Sequence, residues 1–171
     1  MSTTFGIPAN YAAPEIIIDN LGTVAMDLWS LGCTLYEVRL GKRLFDVFQL
    51  ISLRKEDYVN EVASILGKPP EPWARYYTES NMADTVFNSS LVYKEDTSCD
   101  FRTSRVRSLQ EKIASCHNCT GQECAHPRYQ LISEAEAALL AELLEGLLRC
   151  RPHERLSAQE ALKHAWFRSQ Y

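Results

Sequence analysis

The chain has 171 residues, 46% hydrophobic and 23% charged, enough for one domain with a packed core and too apolar for wholesale disorder. Its formal net charge of -4 argues against a nucleic-acid partner held by phosphate neutralisation, and Arg102, Arg105 and Arg107 alternate with Thr, Ser and Val rather than massing. No signal-peptide pattern opens the chain, and Glu142 and Glu145 interrupt the longest leucine-rich run well short of a membrane span. The expectation is an intracellular protein, cytoplasmic or nuclear, with no membrane contact.

Ile7-Pro8 and Ala13-Pro14 each hold the residue before the proline extended, so the segment from Gly6 to Glu15 reads as an irregular loop, a place where function is often carried. Ile16-Ile17-Ile18 follows as a short apolar plug, and Asp19-Asn20-Leu21-Gly22 has the composition of a turn. Thr23 is the predicted N-cap of a helix over 23–40 that Gly41 ends. Val24, Ala25, Met26, Leu28, Trp29, Leu31, Cys33, Leu35, Tyr36, Val38 and Leu40 surround that helix, so it is expected to be central and buried. Asp27 interrupts the apolar surface. It is read either as a buried carboxylate whose donors come from elsewhere, the preferred reading, or as an exposed first-turn acid favoured by the helix dipole.

Residues 55–66 form an amphipathic pattern with Tyr58, Val59, Val62, Ala63 and Leu66 inward and Glu56, Asp57 and Glu61 outward, ended by Gly67 and Pro69-Pro70. Such charges are read as a solvated face before a docking surface for basic peptides. Periodicity then weakens over 70–132, which reads as an insertion, partly irregular, with one short helix predicted after Ser108. Ser133 and Glu136 make a capping-box signature for a helix over 134–149, and Ser157 with Glu160 makes another for a helix over 158–165 that leads to Trp166-Phe167. The fold class is mainly α, one domain over 1–171.

Six cysteines are present, of which Cys33 and Cys150 fall on helical patterns and are read as reduced, buried thiols. Cys116, His117, Cys119, Cys124 and His126 offer zinc-type ligands, but the cluster is too compressed for two separated ligand pairs, and no metal site is assigned. The triplets at Asn88 and Asn118 carry little meaning without a secretory signal.

Three stretches, in order, resemble the latter half of a eukaryotic protein kinase domain: Ala13-Pro14-Glu15, then Asp27-Leu28-Trp29-Ser30-Leu31-Gly32, then Arg151-Pro152-His153-Glu154-Arg155 running on to Trp166-Phe167. Gly67-Lys68-Pro69-Pro70-Glu71-Pro72-Trp73 and the insertion after it are similar to the branch of cyclin-dependent, mitogen-activated and SR-protein kinases, most of all to the fungal SR-protein-kinase-like group. The resemblance implies a partial kinase large lobe with helices packed around helix 23–40. It implies that Glu15 pairs with Arg155 and that Asp27 anchors the catalytic loop. It also implies that Pro8, Ala9, Asn10 and Tyr11 face a protein substrate, with basic Arg/Ser-rich peptides as one class. Pro8 departs from the pattern, standing where many such kinases have a threonine.

Phosphoryl transfer in this family uses a glycine-rich loop, a strand lysine with its helix glutamate, a His-Arg-Asp catalytic loop and an Asp-Phe-Gly metal site. None occurs in these residues, so no catalytic residue is assigned and the chain alone is expected to hold no cofactor, ATP and magnesium belonging to a full-length kinase. The expected function is that of a Ser/Thr protein kinase present as an inactive fragment. The alternative is an inert, kinase-derived binding or scaffold module, with a zinc-binding module behind it.

Overall fold

The computed structural model describes residues 6–47, 53–78, 109–115 and 132–168; among them are helices, turns and loops and no strand. Helix α1, Pro14–Asp19, starts with Pro14 in its first turn, where a missing N–H costs nothing, and ends at Asn20 in the left-handed region (φ 54, ψ 36). Ile16 to Ile18, expected as a short apolar plug, lie within this helix with Ile18 buried, and Pro14 and Glu15, expected in the irregular loop, form its first turn. Pro14 fixes its start and Asn20 its stop.

Helix α2, Ala25–Leu40, begins two residues later than expected. Thr23 does not cap it: Val24 holds that position, already helical and with no side-chain cap, and Gly41 (φ 72) closes the other end. Trp29, Gly32, Cys33 and Tyr36, spaced three and four apart, point into the core. Gly32 lets α2 approach close, because a Cβ there would lie 3.0 Å from Leu148 Cδ2. Trp29 stacks on Phe45 with ring centroids 5.6 Å apart and an interplanar angle of 9°.

The helix is central yet covered on one side only. Val24 (85% exposed), Asp27, Leu31, Thr34 and Val38 (69% exposed) form an outward stripe along it. The physical reason is geometric: a helix apolar around its circumference needs neighbours all round, and among the described residues those neighbours lie to one side.

Helix α3, Lys55–Leu66, buries Tyr58, Val59, Val62, Ala63 and Ile65; Ile65 takes the inward place expected of Leu66. A 3₁₀ turn, Trp73–Tyr76, packs on α3, and the Trp73 indole N–H donates to Asp19 at 2.9 Å, tying this turn to the end of α1. Lys55 Nζ donates to the Ile18 carbonyl, satisfying one of the acceptors that α1 leaves open. Helix α4, Leu109–Ser115, stands where the short helix after Ser108 is expected, with Leu109 and Ile113 buried beside the following helix. The rest of the insertion on either side of α4, including Asn88 before it and Asn118 and the Cys116 to His126 cluster after it, lies outside the described residues.

Helix α5, Glu134–Leu147, presents Leu140, Leu143, Leu144 and Leu147 to the core. Only half of its expected capping box forms. Ser133 Oγ accepts the Glu136 N–H at 3.2 Å, but the Glu136 carboxylate turns away to Arg39 on α2. Helix α6, Ala158–Lys163, has the full box, with Ser157 and Glu160 bonded reciprocally, and α7, Ala165–Arg168, carries Trp166 edge-on to Phe167 at 4.9 Å.

Candidate functional site

Arg155 is the centre of the polar architecture. Its side chain has no exposed surface and every one of its N–H groups has an acceptor. Nε–H donates to the Arg149 carbonyl at 2.8 Å; Nη1 donates to Glu15 Oε1 (2.7 Å) and the Ala25 carbonyl (2.8 Å); Nη2 donates to Glu15 Oε2 (2.7 Å) and the Cys150 carbonyl (3.1 Å). The guanidinium also lies over the Trp29 ring, 5.2 Å from its centroid. A fork of donors matches a carboxylate in this bidentate way, and a buried charge is tolerable only when it is so completely paired. The result joins α1, the start of α2 and the segment after α5 at one point.

Loop 6–13 runs from this clamp along the top of α2. The N–H groups of Tyr11 and Ala12 donate to the Pro8 carbonyl at 2.9 and 3.1 Å, which curls Pro8 to Ala12 into a tight turn. Of the residues expected to face substrate, Pro8 is exposed, Ala9 is partly covered, and Asn10 and Tyr11 turn toward the protein. Asn10 Oδ1 accepts the Val47 N–H at 3.0 Å. The Tyr11 hydroxyl donates to Glu37, and the Tyr11 carbonyl accepts from Ser30 Oγ at 2.9 Å. The bond to Glu37 holds the Tyr11 phenol above its ordinary pKa. At the loop's far end the buried Tyr58 hydroxyl donates to the Ala12 carbonyl at 2.7 Å, and burial pushes that phenol well up.

Asp27, expected to take its donors from elsewhere, is exposed. It stands on the outward stripe of α2, and among the described residues no donor reaches its side chain, because the elements that carry buried donors pack against the opposite side.

Several residues that position this region escape a sequence reading. Glu37 and Ser30 sit on an apolar helix with nothing in their spacing to mark them. Arg39 and Glu136 form a two-point ion pair (2.5 and 2.7 Å) across 97 residues, a charged link between α2 and α5. Tyr58 alone gave a signal, an inward aromatic that must find a partner for its hydroxyl. Burial pushes the thiols of Cys33 and Cys150 up to about 12 and about 11, so both stay protonated near neutrality.

Among the described residues no three carboxylate, thiol or imidazole side chains converge, and Asp27 stands alone on its stripe. No helix of the described residues is long and apolar enough to cross a membrane.

The model of the protein kinase domain family matches residues 2–167. The chain is 28% identical over 159 residues to dual specificity protein kinase CLK2 of Mus musculus, covering 92% of this chain and 27% of that protein. It is 28% identical over 160 residues to serine/threonine-protein kinase AFC3 of Arabidopsis thaliana, covering 94% and 36%. It is 26% identical over 158 residues to serine/threonine-protein kinase Doa of Drosophila melanogaster, covering 92% and 17%. The chain thus spans from about a sixth to about a third of the length of these relatives.

Proposed function

The chain belongs to the protein kinase domain family, and on that premise we propose that it supplies the substrate-side part of an SR-protein-kinase-like serine/threonine kinase. The observation that carries this reading is the Glu15–Arg155 clamp, which fixes loop 6–13 on the central helix and leaves the outward stripe of that helix, with Asp27, facing away from every described element. A longer kinase polypeptide brings a catalytic loop to that stripe, where its backbone N–H groups donate to Asp27. Loop 6–13 then lies beside the reacting hydroxyl and receives the residue next to it. In that arrangement the chain positions a protein substrate, and the chemistry of ATP and magnesium is supplied by residues outside it.

The 171 residues alone do not catalyse transfer on this reading. Incubated with ATP, magnesium and an Arg/Ser-repeat peptide, the chain yields no phosphopeptide, while a longer polypeptide that places a complete set of kinase motifs ahead of these residues phosphorylates serine. Phosphate incorporation by the 171-residue chain itself refutes the proposal. Peptide binding without turnover in every longer form favours the inert binding module instead, a reading that the absence of the catalytic motifs from these residues also supports.

A further inference from the structure

We infer that Asn10 is a positioning residue, which sets the shape of the substrate-side loop by holding it to the segment after α2 rather than by touching substrate. The inference rests on the reading of loop 6–13 given above. Its first support is direction: the Asn10 side-chain oxygen accepts the Val47 N–H at 3.0 Å, across 37 residues of sequence, and the contact is partly buried. An amide whose acceptor is spent on a backbone donor has little left to recognise a ligand with, beyond its NH₂ group.

The second support is what the bond joins. Val47 is buried, as are Leu44 and Phe45 before it, and Phe45 stacks on Trp29, which in turn lies under the Arg155 guanidinium. Asp46 between them is fixed from the other side, its N–H donating to Glu61 Oε1 on α3 at 3.0 Å. The segment that receives Asn10 is therefore itself immobilised by the core and by α3, so the bond anchors the loop to something rigid. Tyr11 adds a second attachment, to Ser30 and Glu37 of α2, one residue further on. With the Tyr58 hydroxyl on the Ala12 carbonyl, the loop is thus fixed from beneath at three adjacent residues.

The third support is Pro8. A proline carries neither a side-chain hydroxyl nor an N–H, and the Pro8 carbonyl already accepts from Tyr11 and Ala12, so at this place the loop offers no donor. Among the described residues the loop is held by the ties below, and Asn10 provides the one that reaches the 44–47 segment.

Two substitutions separate acceptor chemistry from bulk. Asn10→Leu keeps the size and removes the acceptor; Asn10→Asp keeps an oxygen in the same place. In the 171-residue chain, amide hydrogen exchange at Val47 is expected to quicken about tenfold in Asn10→Leu, the loss of one ordinary hydrogen bond, and to stay within about twofold in Asn10→Asp. Binding of a fluorescent Arg/Ser-repeat peptide is expected to weaken several-fold in Asn10→Leu and to recover in Asn10→Asp, which a residue serving only overall stability would not show at temperatures far below the melting transition. Unchanged Val47 exchange in Asn10→Leu overturns the inference, and so does quickened exchange with unchanged peptide affinity. If the unsubstituted chain does not bind the peptide saturably, or if Ala9→Trp leaves that binding untouched, the reading of loop 6–13 as substrate-side falls, and the inference falls with it.

Discussion

Two carboxylates lie near the first turn of α2 and meet opposite fates. Glu15, brought to it by α1, is buried and meets two nitrogens of a guanidinium whose other donors are also used. Asp27, on α2 itself, is exposed among Val24, Leu31 and Val38. One polar site is finished within the chain; the other lies on an apolar surface with no described element above it. The difference teaches that, among the described residues, a carboxylate beside this helix is buried only on the side where the other elements pack and a guanidinium is within reach.

The strongest break of that contrast is Arg155→Ala. It leaves Glu15 buried without its cation and frees three carbonyls, and it is expected to cost about 3–5 kcal/mol, read as a lowered denaturant midpoint. Arg155→Lys should recover little, since one ammonium cannot serve acceptors in that many directions. A midpoint unchanged in Arg155→Ala would show the clamp to be ornamental.

Gly146→Ala comes next. A Cβ at this position would sit 2.5 Å from Leu156 Cδ1, so the Leu156 side chain must shift off α5, at about 1–3 kcal/mol. Pairing it with Leu156→Ala should return part of the loss. Arg39→Ala, which leaves Glu136 buried without the partner it takes in place of the helix cap, is expected to cost about 2 kcal/mol; Glu136→Gln should cost less because the amide still accepts.

On the unfinished side the expected effects are small in stability and visible in association. Val24→Lys with Val38→Lys should change the unfolding free energy by no more than about 0.5 kcal/mol while lowering self-association in sedimentation, because both side chains are largely exposed. A large loss of stability there would show that the stripe is covered by the chain itself.

The gentlest probe is alkaline pH. Folding raises the thiol pKa of Cys33 from 9.0 to about 12 and that of Cys150 from 9.0 to about 11, chiefly by burial. A group with a raised folded pKa contributes its full stability below the unfolded value and loses it as pH rises through the folded one. Stability should therefore fall from pH 9.0 upward, more gently in Cys33→Ala and Cys150→Ala after allowance for their packing loss. At pH 8 both thiols should resist alkylation until the chain unfolds.

Much of the helical order was legible because it depends on neighbours in sequence. Apolar spacing gave α3 and α5, Gly41 and Gly67 gave two helix ends, and Ser157 with Glu160 gave a cap, all interactions closed within a turn or two. The family resemblance also directed attention to Glu15 and Arg155. It gave no means of seeing that Asn10 and Tyr11 face inward, since a polar loop residue reads the same whichever way its side chain turns. The Ser133 box shows the same limit: its sequence is complete, yet Glu136 gains more from a guanidinium on another helix than from a neighbouring N–H.

By itself, then, the sequence determined the local elements and the presence of two carboxylates at the start of the central helix. Only the tertiary structure decided which of them is buried. That choice depends on donors contributed 140 residues away and on which side of a uniformly apolar helix the other elements pack, and neither is written in a local pattern.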